Sequence, residues 1–163
     1  MSVGRHVRAV LLLPGVVTLV VPALLVRWRG TNVTALGVVF GTPLIALGLG
    51  LVGWTIALFA TRGRGTLAPW DVTQRLVVEG PYRHVRNPMI SGVLAILLGE
   101  AAALGSRAVL AWAVAVFAVN AVYLPLVEEP GLARRFGPDY ERYRANVRRW
   151  IPRARPWDLS SRR

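Results

Sequence analysis

Two short stretches hold most of the side chains in this sequence that could do chemistry. The first is Glu79-Gly80-Pro81-Tyr82-Arg83-His84-Val85-Arg86-Asn87-Pro88-Met89-Ile90-Ser91-Gly92, a polar, basic loop that turns abruptly into an apolar segment. It offers aromatic surface, cations and a titratable imidazole at the mouth of a hydrophobic helix, where a polar cofactor and an apolar substrate could meet. The second opens with Glu128-Glu129 at the end of an uncharged run and continues through Leu132, Phe136, Gly137, Tyr140 and Tyr143. A carboxylate pair there suits a cationic group or ribose-type hydroxyls. Without a cysteine, the chain has no disulfide framework, thiolate metal site or thiol nucleophile. His84 has no second ligand near it in sequence, so no metal site is expected.

The elements that must position these stretches are hydrophobic. Of 163 residues, 54% are hydrophobic and only 17% charged, more apolar than a soluble domain of this size needs. We expect an all-α integral membrane domain over residues 1–163, with four transmembrane helices at about 9–26, 33–60, 88–106 and 108–127. A cytoplasmic interfacial loop at 62–86 and C-terminal amphipathic helices at about 129–149 complete the expected fold. For the first run a cleaved signal peptide is the rival reading, disfavoured because the run is long and no small-x-small site precedes Arg27. Gly-Pro at 80–81 and Asn-Pro at 87–88 punctuate the loop, and Pro88 suits the first turn of a helix. Glycines at 37, 41, 48, 50 and 53, and the stripe Gly92, Ala95, Gly99, let helices approach closely, within the bundle rather than between copies. Pro138 should divide the C-terminal helix. With arginines beside its stripe Leu132, Phe136, Tyr140, Tyr143, Val147, the pair reads as interfacial helices on an anionic leaflet or as helices packed on the protein's own loop, and the two do not exclude each other. Glu100, inside the third span, is expected to pair with Arg107 on the same helical face.

A formal charge of +12 raises nucleic acid as a partner, but the cations flank apolar runs instead of forming a reading face, so none is expected. Seventeen of the twenty arginines fall in the N-terminal tail, the 62–86 loop and the C-terminal tail, against three in the two opposite loops. That asymmetry puts both termini in the cytoplasm. The complete use of arginine over lysine points to a GC-rich bacterial genome, and hence to a bacterial inner membrane.

The two stretches together resemble the isoprenylcysteine carboxyl methyltransferase and phospholipid methyltransferase group of integral-membrane enzymes. The first half of that group's signature, Gly-x-Tyr-x-x-x-Arg-His-Pro-x-Tyr-x-Gly, is carried by Gly80, Tyr82, Arg86, Pro88 and Gly92, with Asn87 in place of the His and Ile90 in place of the second Tyr. The second half is complete in Glu128, Glu129, Leu132, Phe136, Gly137, Tyr140 and Tyr143. The resemblance implies S-adenosylmethionine as cofactor and methyl transfer to a lipophilic small-molecule or lipid-modified acceptor at the cytoplasmic face. It implies a cofactor pocket formed by Gln74, Arg75, Leu76, Val77, Tyr82, Asn87, Pro88, Met89 and Ile90, with Glu128 closing it from the end of the fourth span. No catalytic residue is assigned, though His84 is a conceivable base for an amine acceptor.

Plainer roles stand beside these. Tyr82 is also an aromatic-belt residue, Glu128 and Glu129 also cap a membrane exit, and Arg83, His84 and Arg86 also serve as interfacial charge. A membrane reductase of the sterol-reductase type using a nicotinamide, and a non-catalytic four-helix scaffold, are the competing functions. One departure bears on the acceptor: members that methylate an isoprenylcysteine carboxylate carry an arginine where this chain has Leu124, and no arginine lies anywhere from Ala108 to Val127. The expected acceptor group is therefore neutral or an amine.

Overall fold

The structure is a computed structural model that describes residues 14–62 and 76–158. Within those residues it is helical, with no strand. A π turn, Val16–Val20, leads into α1, Val21–Arg29; α2 is Ala35–Arg62, α3 Pro88–Ala103 and α4 Arg107–Tyr123. A second π turn, Leu124–Glu128, joins α4 to α5, Glu129–Phe136, and α6 is Pro138–Asn146.

α2 and α3 form the central hairpin, and glycine makes it possible. Gly37 meets Ala102, Gly41 meets Gly99 and Ala103, and Gly48 meets Gly92 and Ile96, an antiparallel seam of backbone on backbone. A Cβ on Gly48 would stand 2.6 Å from the Gly92 carbonyl oxygen, which cannot withdraw. Gly50 has nothing within 4 Å of such an atom. Gly48→Leu should therefore force the helices apart and cost about 1–3 kcal/mol or more, while Gly50→Leu leaves stability unchanged. Thermal unfolding of the two variants in micelles checks this; equal transitions would remove the seam from the account.

α4 packs on α3 and on the N-terminal helix around Val52, Val93, Ile96, Leu97 and Ala113. The first π turn explains one tie. The Val21 N–H bonds to Val16, five residues back, so the Val17 carbonyl loses its usual donor, and the Trp112 indole N–H supplies one at 2.9 Å. At the hairpin end the Asn32 N–H donates to the Leu104 carbonyl at 3.0 Å, and Gly105, at φ 57°, packs directly on the Asn32 backbone.

Among the described residues two helices are long and apolar enough to cross a membrane: the 24 residues Ala35–Leu58, and the 30-residue rod Arg107–Phe136, whose uncharged part is 108–127. α3 is apolar but has 16 residues, roughly 24 Å at 1.5 Å per residue. The boundaries differ from expectation accordingly. The second helix runs 35–62 and not 33–60, and the third stops at Ala103 rather than 106 because Leu104-Gly105 turns out of it. The fourth continues past 127 without a break. The C-terminal helices end at 146, not 149, but divide where expected, the first ending at Phe136 and the second starting at Pro138, with Gly137 at φ 52° between them. The first helix reaches Arg29 rather than 26; its expected start at 9 lies outside the described residues, as does most of the 62–86 loop.

Glu100 does not pair with Arg107. One of its carboxylate oxygens is buried without a hydrogen-bond partner, and no ion pair joins it to Arg107 among the described residues. The shared-face argument required one helix through both residues, and the chain changes direction between them.

Candidate active site

Both motifs meet at one end of the bundle. The loop before α3 makes a single 3-10 turn, Gly80–Arg83, that starts with Gly80 at φ 54°. The rod brings Glu128 and Glu129 up to that loop, and α6 folds back along α5 so that Tyr140 and Tyr143 pack on Leu132, Ala133 and Phe136 and on Leu76 and Val78 of the loop. The stripe thus packs against the protein's own loop, buried at Tyr140, Tyr143 and Val147 and half-buried at Leu132 and Phe136. The Tyr143 hydroxyl donates to the Tyr82 carbonyl at 2.7 Å, tying the two motifs covalently distant in sequence.

The last segment, 147–158, has no helix and runs over the loop as a strap. The Arg86 N–H donates to Arg148 O, Arg153 N–H to His84 O and Trp157 N–H to Arg83 O, each at 2.9 Å. The Arg83 side chain donates to Trp157 O and to Asp158, both at 2.9 Å. His84 donates from Nδ1 to the Arg153 carbonyl at 2.8 Å, which leaves Nε2 as the free ring nitrogen of the neutral tautomer.

The two glutamates have opposite fates. Glu129 is buried; its Oε1 lies 3.0 Å from Arg86 Nη1 and 2.7 Å from Arg149 Nε, which donates to it. Desolvation works to raise its pKa, but the Arg149 hydrogen bond and the Arg86 and Arg149 charges prevail and hold it below the usual carboxylate value. Glu128 has no ion pair or hydrogen bond among the described residues. Water reaches it, yet protein crowds it enough that desolvation, then the Glu129 charge, push its pKa up. Arg86 cannot serve it: already committed to Glu129, Arg86 sits with a side chain 11% exposed.

Three tyrosines surround this pair. Burial raises all of their pKa values, that of Tyr140 to about 12, and Tyr82 feels Tyr143 and then Glu128 as additional neighbours. None supplies a phenolate near neutral pH. The site therefore presents one uncompensated carboxylate and neutral aromatic hydroxyls.

Of the residues expected to form a cofactor pocket, Tyr82 and Glu128 are brought together, and Leu76 joins the tyrosine cluster. Val77 is buried beside it in sequence. Asn87 caps α3 by backbone alone, its carbonyl accepting from the Ser91 N–H and hydroxyl, each at 3.0 Å. Pro88 is buried at N1, and Met89 and Ile90 lie half-buried on the first turn, without a hydrogen bond to Glu128. Gln74 and Arg75 lie outside the described residues. The reading in which the glutamates cap the membrane exit against nearby arginines holds for Glu129, with Arg86 and Arg149, and not for Glu128; residues 20 apart in a tail carry no signal of which arginine pairs.

The π turn was not foreseen, although prolines mark it. Pro125 and Pro130 bracket it, and the Glu129 N–H bonds to Leu124, five residues back. The widened turn sets Glu128 on a different azimuth from its paired neighbour. Leu124, where an arginine would serve an isoprenylcysteine carboxylate, is 1% exposed and so faces the interior.

No curated protein and no solved structure matches the chain. A family model described as phospholipid methyltransferase matches residues 36–139. That span begins in α2 and ends in α6, taking in the glycine seam, the 80–92 loop and both glutamates, so the chain belongs to the phospholipid methyltransferase family of membrane methyltransferases.

Proposed function

We propose that this protein transfers the methyl group of S-adenosylmethionine to a lipophilic acceptor whose reacting group is neutral or an amine. The observation that carries the reading is Glu128, a water-accessible carboxylate beside the tyrosine cluster left without a cation while its neighbour Glu129 holds two. A cofactor bearing a sulfonium and an ammonium supplies the missing positive charge. When bound, it delivers a methyl group as the carbon–sulfur bond breaks, the sulfur keeping the electron pair and the acceptor atom forming the new bond. The chain's own residues hold and orient. Glu128 binds the cationic group, Tyr82 gives an aromatic edge beside it, and Leu76, Val77 and the first turn of α3 from Asn87 to Ile90 keep water out. Gln74 and Arg75 complete the pocket in this reading.

Three arginines that could reach in as substitutes are engaged. Arg83 is held by Trp157 and Asp158, Arg86 by Glu129 and Arg142 by Asp139. Leu124 presents apolar surface inward. A carboxylate acceptor would be desolvated there without a partner. The arginine asymmetry supports four spans with both termini in the cytoplasm, where the cofactor is available.

Methyl transfer from labelled cofactor to a membrane lipid extract and to a farnesylcysteine analogue tests this. Label is expected in a lipid of the extract and not in the farnesylcysteine carboxylate. Efficient methylation of that carboxylate would overturn the acceptor assignment, and calorimetric binding of NADPH in place of S-adenosylmethionine would overturn the reaction.

A further inference from the structure

The rod formed by α4 and α5 leaves Val114, Val122, Leu126 and Val127 more than half exposed along its uncharged part. Phe117 lies on the exposed part of the same helix, 43% accessible, and the ring of Trp150 rests on it with centroids 5.3 Å apart and planes tilted by 54°. Phe117 is in the middle of the uncharged run, ten residues before Val127, roughly 15 Å along the helix axis. Ordinary bond lengths place each ring centre about 4 Å from its Cα, so the two Cα atoms lie within about 13 Å of each other. The backbone of Trp150 therefore stands no higher than the last apolar turn of the span. The strap comes down beside the helix to the depth of the membrane.

Its neighbours are arranged for that depth. Arg149 reaches up to Glu129, as a snorkelling arginine does, while Trp150 reaches down. Ile151 follows, an apolar side chain 61% exposed. The Arg86 N–H bond to Arg148 O fixes the descent. Around it, Arg134, Arg135, Arg148 and Arg155 are exposed and make no ion pair among the described residues.

We propose that Trp150 and Ile151 form a wedge inserted among the acyl chains of the leaflet that faces the methyltransferase motifs, with the free arginines binding its anionic headgroups. The wedge makes the C-terminal strap a re-entrant membrane segment and not a cytosolic tail. It stands on geometry alone and does not depend on which cofactor or acceptor the site takes.

The chain contains no cysteine, so single labels can be placed without other changes. Ile151→Cys and Arg155→Cys, each carrying a nitroxide, are studied as the full protein in nanodiscs of phosphatidylcholine with phosphatidylglycerol. Oxygen should relax the label at 151 more than an aqueous nickel chelate does, at a depth of about 5–10 Å, with the order reversed at 155. Equal access of the chelate to both positions overturns the wedge. Trp150→Ala added to the 151 label should move it into water and Trp150→Phe should not; a depth unchanged in the folded alanine variant overturns the anchoring role of the ring. Omitting phosphatidylglycerol should raise chelate access at 155 at least about twofold, by loss of the headgroup attraction, and no change there overturns the anionic partner.

Discussion

Replacing Glu128 by glutamine should weaken S-adenosylmethionine binding by about 2–4 kcal/mol, roughly 30- to 800-fold, and leave the protein folded. Glutamine keeps the volume and an acceptor oxygen and removes only the charge. The sign of the accompanying stability change separates this from a structural role. Glu128 is an acid whose folded-state pKa is raised, by desolvation first and by Glu129 second. Such a group, ionised at neutral pH, costs stability, so its neutral replacement should unfold no earlier than the parent. Affinity in the parent should also fall with pH as Glu128 is protonated, in a window above the ordinary value of 4.5. The glutamine variant should show no such dependence. Calorimetric titration with S-adenosylmethionine across that range, beside thermal melts, makes both comparisons. The assignment would be falsified if the folded variant bound the cofactor as tightly as the parent.

Sequence conveyed the parts of this fold that rest on local chemistry. Gly37, Gly41 and Gly48 could be read as a close-approach face, and they meet Gly92, Gly99 and Ala102 because residues at helical spacing have only one place to put a backbone-to-backbone contact. Gly50 and Gly53 belonged to the same reading and take no part, since they lie off that face. The tail stripe was visible as a helix face, but whether lipid or protein covered it depended on the strap and loop coming together from opposite ends of the chain. Azimuth was the quantity lost most completely. Neighbours on a helix point about 100° apart, so only one of two adjacent carboxylates can face a given partner; the widened turn that ends at Glu128 sets the rotation at which Glu129 meets Arg86 and Glu128 does not. The strap itself has no periodicity to read, and its Trp150 became meaningful only once Phe117 was beneath it.

Glu129→Gln should cost about 3 kcal/mol of stability, at the lower end of what is lost when one member of a buried ion pair is removed. Arg86, with a side chain 11% exposed and its Nε already without a hydrogen-bond partner, would be left as an uncompensated charge. Arg149 is 25% exposed and can turn to solvent, which is why the upper end is not expected. The pH dependence fixes the cause. Glu129 has a folded pKa depressed below its unfolded value near 4.5, so its contribution is complete above that value and is lost as pH falls through the folded one. Parent and variant should thus differ most near neutral pH and converge in acid. Pairing Glu129→Leu with Arg86→Met should recover most of the loss, since removing both charges leaves none buried alone. Unfolding followed by tryptophan fluorescence in micelles measures the parent, Glu129→Leu, Arg86→Met and the double variant beside Glu129→Gln, and a double variant no more stable than the sum of its singles would show that Glu129 supports the fold by shape instead of charge. The same cycle bears on binding. In Glu129→Gln the freed Arg86 can turn to Glu128, the carboxylate next to position 129 in the chain, and a new pair between them would occupy the charge that the cofactor needs. Affinity for S-adenosylmethionine should then fall in Glu129→Gln although the residue touches no cofactor in this account, and return when Arg86→Met is added, a recovery that stability alone would not produce.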